Sequence, residues 1–411
     1  MKHQTMKIKL FGILIVFGSL FAIQAQELEV LIQQAIMNNP EIYKVELEYN
    51  ISSEKENEVN ALPNTEFGVG YFVSEPETRT GPQRFKVTAK QMIPWFGTIT
   101  ARKNYAKAMA DAQYEDLVIT KRKLVVSLSQ TYYKLYAFHA KQNVLLENIQ
   151  LLATYKTMAL NAVETGKSSA VAVLKLQIRE NELKKQQAVL KQNIMAEQTA
   201  LNKLLNRDKS VEIKIPQELT LPDAGTDNIP ANLSAHPELL KYDKLYASIA
   251  QSEIVNKNES QPMLGFGLDY INVDERPNMD FADNGKDILM PMVSVSIPIF
   301  NQKFKSTDRQ LALKQQQLKA AQEERRNTLE SLLEKALSDR NAARINYEAQ
   351  TENLNQARNA ERILIKNYET GTIDFNDVLD IQELQLKFQT QMIEAVTNYY
   401  IQTTTINYLS N

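Results

Sequence analysis

The chain has 411 residues, a formal net charge of −2, 12 glycines, 13 prolines and no cysteine. Disulfides, thiolate metal sites and lipid-modified cysteines are therefore excluded, and His3, His139 and His236 are the full supply of imidazoles. The slight acidic balance argues against a nucleic-acid binder, which presents a basic face.

Lys2, Lys7 and Lys9 precede an apolar run from Leu10 to Ala22, with Ala25 as the cleavage point. Residues 1–25 read as a secretory signal; the run is too short for a spanning helix, which needs about 20 apolar residues. Loss of its three lysines moves the net charge to −5. Glu27 to Ala61 is helical in pattern, with a break at Asn39-Pro40, since proline suits the first turn of a new helix. Two alternating stretches follow, Thr65 to Val73 and Gln83 to Ile93, joined by a polar loop. Phe67, Val69, Tyr71 and Val73 share one face of the first. Phe85, Val87, Ala89 and Ile93 share one face of the second, opposite Arg84, Lys86, Thr88 and Lys90. Strands of about 9–11 residues cross a bilayer when tilted, although a soluble hairpin with one face on a core has the same alternation.

Pro94-Trp95-Phe96-Gly97 ends this hairpin, and Thr98 to Val163 contains neither Gly nor Pro. As one helix it would be about 100 Å long. Its seam runs Leu124, Leu128, Thr131, Leu135, Phe138, Gln142, Leu145, Ile149, Leu152, with seven of nine positions apolar, the pattern of a coiled coil. His139, beside the seam, reads as a packed or solvated residue rather than a metal ligand. Glu164-Thr165-Gly166-Lys167 turns the chain, and Ala170 to Asn206 returns as helix. A Pro- and Gly-bearing linker occupies 207–233.

The second half replays the first. His236-Pro237-Glu238-Leu239 echoes Asn39-Pro40-Glu41-Ile42, and Phe266, Gly267 and Tyr270 echo Phe67, Gly68 and Tyr71. Strands are expected within 262–298, as within 64–93. Ile297-Pro298-Ile299-Phe300 echoes Ile93-Pro94-Trp95-Phe96 before a second long helix. Its seam passes through Leu329, Leu333, Ala336, Arg340, Ala343, Tyr347, Gln350, Leu354, Ala357, Glu361, Leu364 and Tyr368. The turn Glu369-Thr370-Gly371-Thr372 leads into a return helix. The domain reading is a signal (1–25) and one mature body (26–411) of two repeats, 26–206 and 234–411. Four strands cannot close a barrel, and open edges are forbidden in lipid. Membrane-embedded hairpins would thus require several chains to share one barrel; twelve strands leave room for a water-filled lumen.

This duplicated order, the Gly-turned helices and the run Tyr368 to Asp380 resemble the TolC family of outer-membrane efflux ducts over essentially the whole mature chain. The sharpest match is Tyr368-Glu369-Thr370-Gly371-Thr372 followed by Asp377-Val378-Leu379-Asp380. The Pro-Trp-Phe-Gly hairpin exit is similar to members serving heavy-metal or cation pumps. The resemblance implies a mainly α fold with a membrane β-barrel, in a trimer with a 12-stranded barrel and a periplasmic α-helical barrel. It implies a channel subunit of a tripartite pump of the resistance-nodulation-division type, conducting drugs or metal ions outward. Its partners would be outer-membrane lipid, a periplasmic adaptor and an inner-membrane pump. It also implies a periplasmic gate at Tyr368, Asp374, Asp377 and Asp380, with Asp374 mainly a helix cap and Asp377 and Asp380 forming acidic rings. The tips Glu164, Thr165, Gly166, Lys167 and Glu369, Thr370, Gly371, Thr372 would meet the adaptor. Two departures stand out: Ile373 fills the family's latch arginine and Ala172 the matching aspartate. A gate held by packing and hydrogen bonds, with little salt sensitivity, is expected instead.

Other readings remain: a type I protein-secretion duct, or a periplasmic coiled-coil scaffold, which would need no lipid-facing hairpins. Thr165-Gly166-Lys167-Ser168 imitates the end of a phosphate-binding loop, but Asn161 stands where that motif needs glycine. Neither a catalytic constellation nor a cofactor or metal motif is present, and the chain does not read as an enzyme. Met290 and Met292 read as strand packing.

Overall fold

In the computed structural model, residues 27–166, 169–223, 233–370 and 372–410 are described; the signal, Lys167, Gly371 and most of the second half of the linker lie outside them. The elements in order are helices α1 (27–38) and α2 (Pro40–Glu58), strands β1 (Glu66–Tyr71), β2 (Glu77–Thr78) and β3 (Gly81–Ile93), then helices α3 (Thr98–Glu164) and α4 (Ala170–Leu204). After the linker come α5 (Pro237–Glu259), β4 (Met263–Val273), β5 (Ile288–Ser296), α6 (Gln302–Glu369) and α7 (Phe375–Ser410). No helix among the described residues is long and apolar enough to cross a membrane. The chain forms two compact units, each drawn from both halves of the sequence.

The sheet unit comprises Val45–Leu117 and Pro237–Arg325. Its sheet has the order β1-β3-β4-β5, all antiparallel, with β2 against the start of β3. The β3–β4 pairing joins the two halves and was not specified by either hairpin. Register turns the expected alternation into two unlike faces. Val69 pairs with Val87, Val87 with Tyr270 and Tyr270 with Leu289, one apolar row across four strands. Phe67, Ala89, Leu268 and Pro291 form the next. Phe67 is 77% and Val69 80% exposed, so this face has no core behind it. The other face carries Glu66, Lys86, Thr88, Lys90, Asp269 and Ser294, with Lys86 paired to the fully buried Asp269.

At the loop end of the sheet, Arg276 donates to Glu77 Oε2 at 2.8 Å and to the Thr78 carbonyl at 2.6 Å. The Gly285 amide donates to Thr80 O at 2.8 Å. Gly81 holds φ +133°, and a Cβ there would stand 1.9 Å from the Asp274 carbonyl oxygen. Only glycine lets the two loops approach this closely. In the helical part of the same unit, Lys241 meets Asp116 at 2.7 Å and Arg102 meets Glu259 at 2.7 Å.

The helical unit comprises residues to Lys44, Val118–His236 and Arg326–Asn411. Its core is the pair of seams. Leu128, Leu135 and Leu152 of α3 and Leu329 of α6 are essentially inaccessible. Every residue of both seams is buried or half-buried, and small residues such as Ala336, Ala343 and Ala357 let neighbouring helices close in. Beside the α3 seam, the Asn148 side-chain oxygen accepts from Gln382 at 2.6 Å, and its amide donates to Gln389 at 3.2 Å.

The two Pro-led helices are anchored alike. Asn39 accepts from the Glu41 amide at 2.9 Å, capping α2, and donates to the carbonyl of Leu204 at the end of α4 at 2.9 Å. His236 places Nε2 3.2 Å from the carbonyl of Tyr408 near the end of α7. The first part of the linker is irregular and tied down. The Leu219 amide donates to the Tyr136 hydroxyl at 2.9 Å, Tyr400 donates to Thr220 O at 2.7 Å and Arg344 to Pro222 O at 2.9 Å.

Candidate functional site

The two tips are built by local hydrogen bonding. At the first, Gly166 takes φ +71° and its amide donates to Val163 O at 3.0 Å. Ser169 then caps α4 by accepting from the Val171 amide at 3.2 Å. At the second, the carbonyl of Asn367 collects the Thr370 hydroxyl at 2.9 Å, the Thr372 hydroxyl at 2.8 Å and the Thr372 amide at 3.0 Å. Asp374 caps α7 through the Asn376 amide at 2.8 Å, the role the spacing predicts for it. Glu164, Thr165, Gly166, Glu369, Thr370 and Thr372 are all exposed; Lys167 and Gly371, the remaining expected tip residues, lie outside the described residues.

Asp374, Asp377 and Asp380 are exposed along one side of the start of α7. The opposite side carries Phe375 and Val378, which are 1% and 0% exposed. Phe375 is the hub here. The Tyr155 ring of α3 meets it edge-on at 5.6 Å, and the Tyr368 ring of α6 does so at 4.9 Å. Tyr155 donates its hydroxyl to Glu361, whose other oxygen accepts from Gln385 at 2.9 Å. Burial, then the bond to Glu361 and its charge, push the Tyr155 phenol well above its ordinary range, so it stays a donor.

Tyr368, the one aromatic residue expected at the gate, has a buried hydroxyl without a hydrogen-bond partner among the described residues. Ala172 is buried and Ile373 half-buried, so neither offers a charge at this level. Between α4 and α7 the ties are instead Lys175 to Asn376 Oδ1 at 2.8 Å and Arg179 to Glu383 at 3.4 Å. They cross a groove of about 370 Å³ lined by Lys175, Ile178, Arg179, Leu379, Asp380 and others. One tie is a hydrogen bond and the other an ion pair.

Sequence reasoning missed Phe375, Tyr155, Lys175 and Arg179, and placed Glu361 only in the α6 seam. Phe375, Val378 and Gln382 continue a three-four spacing into α7, a signal that could have found the first of these. The pairing of Tyr155 with Glu361, 206 positions apart, has no local signature. Among the described residues no cluster of three or more His, Asp or Glu side chains could hold a metal ion.

Residues 31–207 match the model of the outer membrane efflux protein family. No curated protein matches the chain by sequence. Solved structures match it over nearly its whole length. CusC aligns at a TM-score of 0.77 with 15% identity, covering 94% of this chain and 92% of that one. VceC of Vibrio cholerae aligns at 0.74 and 14%, covering 94% and 96%. The MtrE outer membrane channel of Neisseria gonorrhoeae, in its open state, aligns at 0.73 and 15%, covering 93% and 88%. At such low identity these likenesses establish the fold, mainly helical with a small sheet. The chain is thus similar to outer membrane efflux proteins, by sequence over residues 31–207 and by fold over nearly its whole length.

Proposed function

We propose that three copies of this chain share one twelve-stranded barrel in the outer membrane and one helical duct in the periplasm. The trimer would be the exit channel of a tripartite efflux pump. The observation that carries this is the sheet. Among the described residues it has free edges at β1 and β5 and an apolar face that stays exposed. In lipid each free edge needs a partner strand, and a neighbouring copy's opposite edge supplies one on both sides. Three sheets give a lumen lined by the Lys86–Thr88–Lys90 face, wide enough for water.

The gate would lie at the start of α7. Threefold repetition would bring Asp377 from each chain together, and Asp380 likewise, and a ring of carboxylates favours cations and opposes its own closure. Tyr368 and the Phe375 cluster would hold α6 and α7 in the closed arrangement. The exposed tips, Glu164 to Lys167 and Glu369 to Thr372, would meet a periplasmic adaptor, which connects to an inner-membrane pump of the resistance-nodulation-division type. The cargo, drugs or metal ions, would be chosen by that pump.

Light scattering on the detergent-extracted protein, corrected for bound detergent, tests the assembly: three chains are expected, and a detergent-independent monomer or dimer would overturn it. In planar bilayers the trimer should form channels, and Asp377→Asn with Asp380→Asn should lower both conductance and cation preference, since the ring's repulsion and its attraction for cations are removed together.

A further inference from the structure

The three aspartates at the start of α7 are all exposed but not electrically equivalent. Asp374 spends its carboxylate on the Asn376 amide as a helix cap. Asp380 lines the α4–α7 groove together with Lys175 and Arg179. Lys175 is held over α7 by its 2.8 Å bond to Asn376, one helical turn before Asp380, and Arg179 reaches α7 at Glu383, just beyond it. Two cations from α4 thus bracket Asp380 on α7. Asp377 does not line that groove, and it makes no ion pair among the described residues. The groove is bridged rather than filled: Ile178 and Leu379 are its apolar residues, and Ile178 is 69% exposed. The approach of α4 to α7 at this level therefore rests on the two polar ties, while α7 is packed elsewhere through Phe375, Val378 and Gln382.

We propose that Lys175 and Arg179 are specificity-determining residues of the entrance. They offset the charge of Asp380, leave Asp377 as the acid that sets cation preference, and tie α4 to α7 across the groove. The physical basis is that opposite charges lining one groove offset each other at a distance, whereas a carboxylate outside it projects its field into the pore. The inference rests on the duct reading above.

Reversal potentials across a salt gradient, in planar bilayers, test it with the wild type and Asp377→Asn, Asp380→Asn, Lys175→Gln and Lys175→Arg. Each variant is first checked for a heat-resistant trimer, and all three positions are exposed. Asp377→Asn should move the reversal potential toward zero by more than Asp380→Asn does. Lys175→Gln should move it the other way, toward stronger cation preference, because Asp380 is released, and Lys175→Arg should restore the wild-type value. Equal effects of the two aspartates with a silent Lys175→Gln would overturn this inference and leave the duct reading standing. A wild-type protein that forms no channels would overturn both.

Discussion

Phe375 shows how much one side chain at the tip can decide. It is 1% exposed and touches Tyr155 and Tyr368 at ring-centroid distances of 5.6 and 4.9 Å. Truncation to alanine leaves a cavity and removes both edge-on contacts, a cost of about 3–5 kcal/mol for a buried phenylalanine. Phe375→Ala is expected to lower the denaturation midpoint and to raise open probability in bilayers, while Phe375→Leu retains most of both properties. An unchanged open probability in Phe375→Ala would separate this cluster from gating. Asn39 gives a second test, because its amide has two separable jobs. Asn39→Ser keeps a capping oxygen for α2 and loses the donor to Leu204; Asn39→Ala loses both. Costs of about 1 and about 2 kcal/mol are expected in chemical unfolding, and equal costs would show that the cap contributes nothing. The cap at Asp374 was legible from sequence because capping is a local pattern. Phe375's partners were not, because they arrive from helices whose relevant residues are far away in the chain.

Whole elements were more legible than their partners. The 3.6-residue period and the scarcity of Gly and Pro predict α3 and α6, which run over 67 and 68 residues. Alternation predicts which strand residues share a face, but a period of two says nothing about which strand lies alongside. The β3–β4 pairing, ten register pairs from Gln83↔Val273 to Ile93↔Leu264, therefore came from the structure alone. The loop clasp was hidden for the same reason. Ala at position 81 would need φ +133° and a Cβ 1.9 Å from a carbonyl oxygen. Gly81→Ala should thus pry residues 74–80 from 274–287 and make them cleavable by protease added to intact cells, where the parent protein resists. On α3, burial lowers the His139 pKa from its ordinary 6.5. The folded state then binds fewer protons than the unfolded one between that lowered value and 6.5. Stability is complete above pH 6.5 and declines as pH falls through this window. Thermal midpoints measured across it should slope for the parent and flatten for His139→Gln; parallel curves would mean that His139 carries no linkage.

For the assembled molecule the decisive question is what covers the apolar face of the sheet. Val69 and Gly70 are neighbours on β1 at one depth, yet they point to opposite faces: Val69 pairs with Val87 on the apolar side and Gly70 with Lys86 on the polar side. Val69 is 80% exposed, and a Cβ added at Gly70 meets no atom within 4 Å. Packing within the chain thus resists a charge at neither position. A soluble sheet would tolerate Val69→Lys and Gly70→Glu alike. A lipid-facing sheet would not, because a lysine near the bilayer midplane costs about 2–4 kcal/mol, and three copies would add that cost three times in one barrel. A glutamate at position 70 faces the lumen beside Lys86 and costs little. Membrane fractionation and light scattering of the two variants separate these cases. Loss of the heat-resistant, membrane-extracted trimer in Val69→Lys, with the trimer retained in Gly70→Glu, is the outcome expected of a shared barrel. Equal tolerance of both would leave the apolar rows without lipid to explain them, and with them the argument that the free edges of β1 and β5 are closed by neighbouring copies.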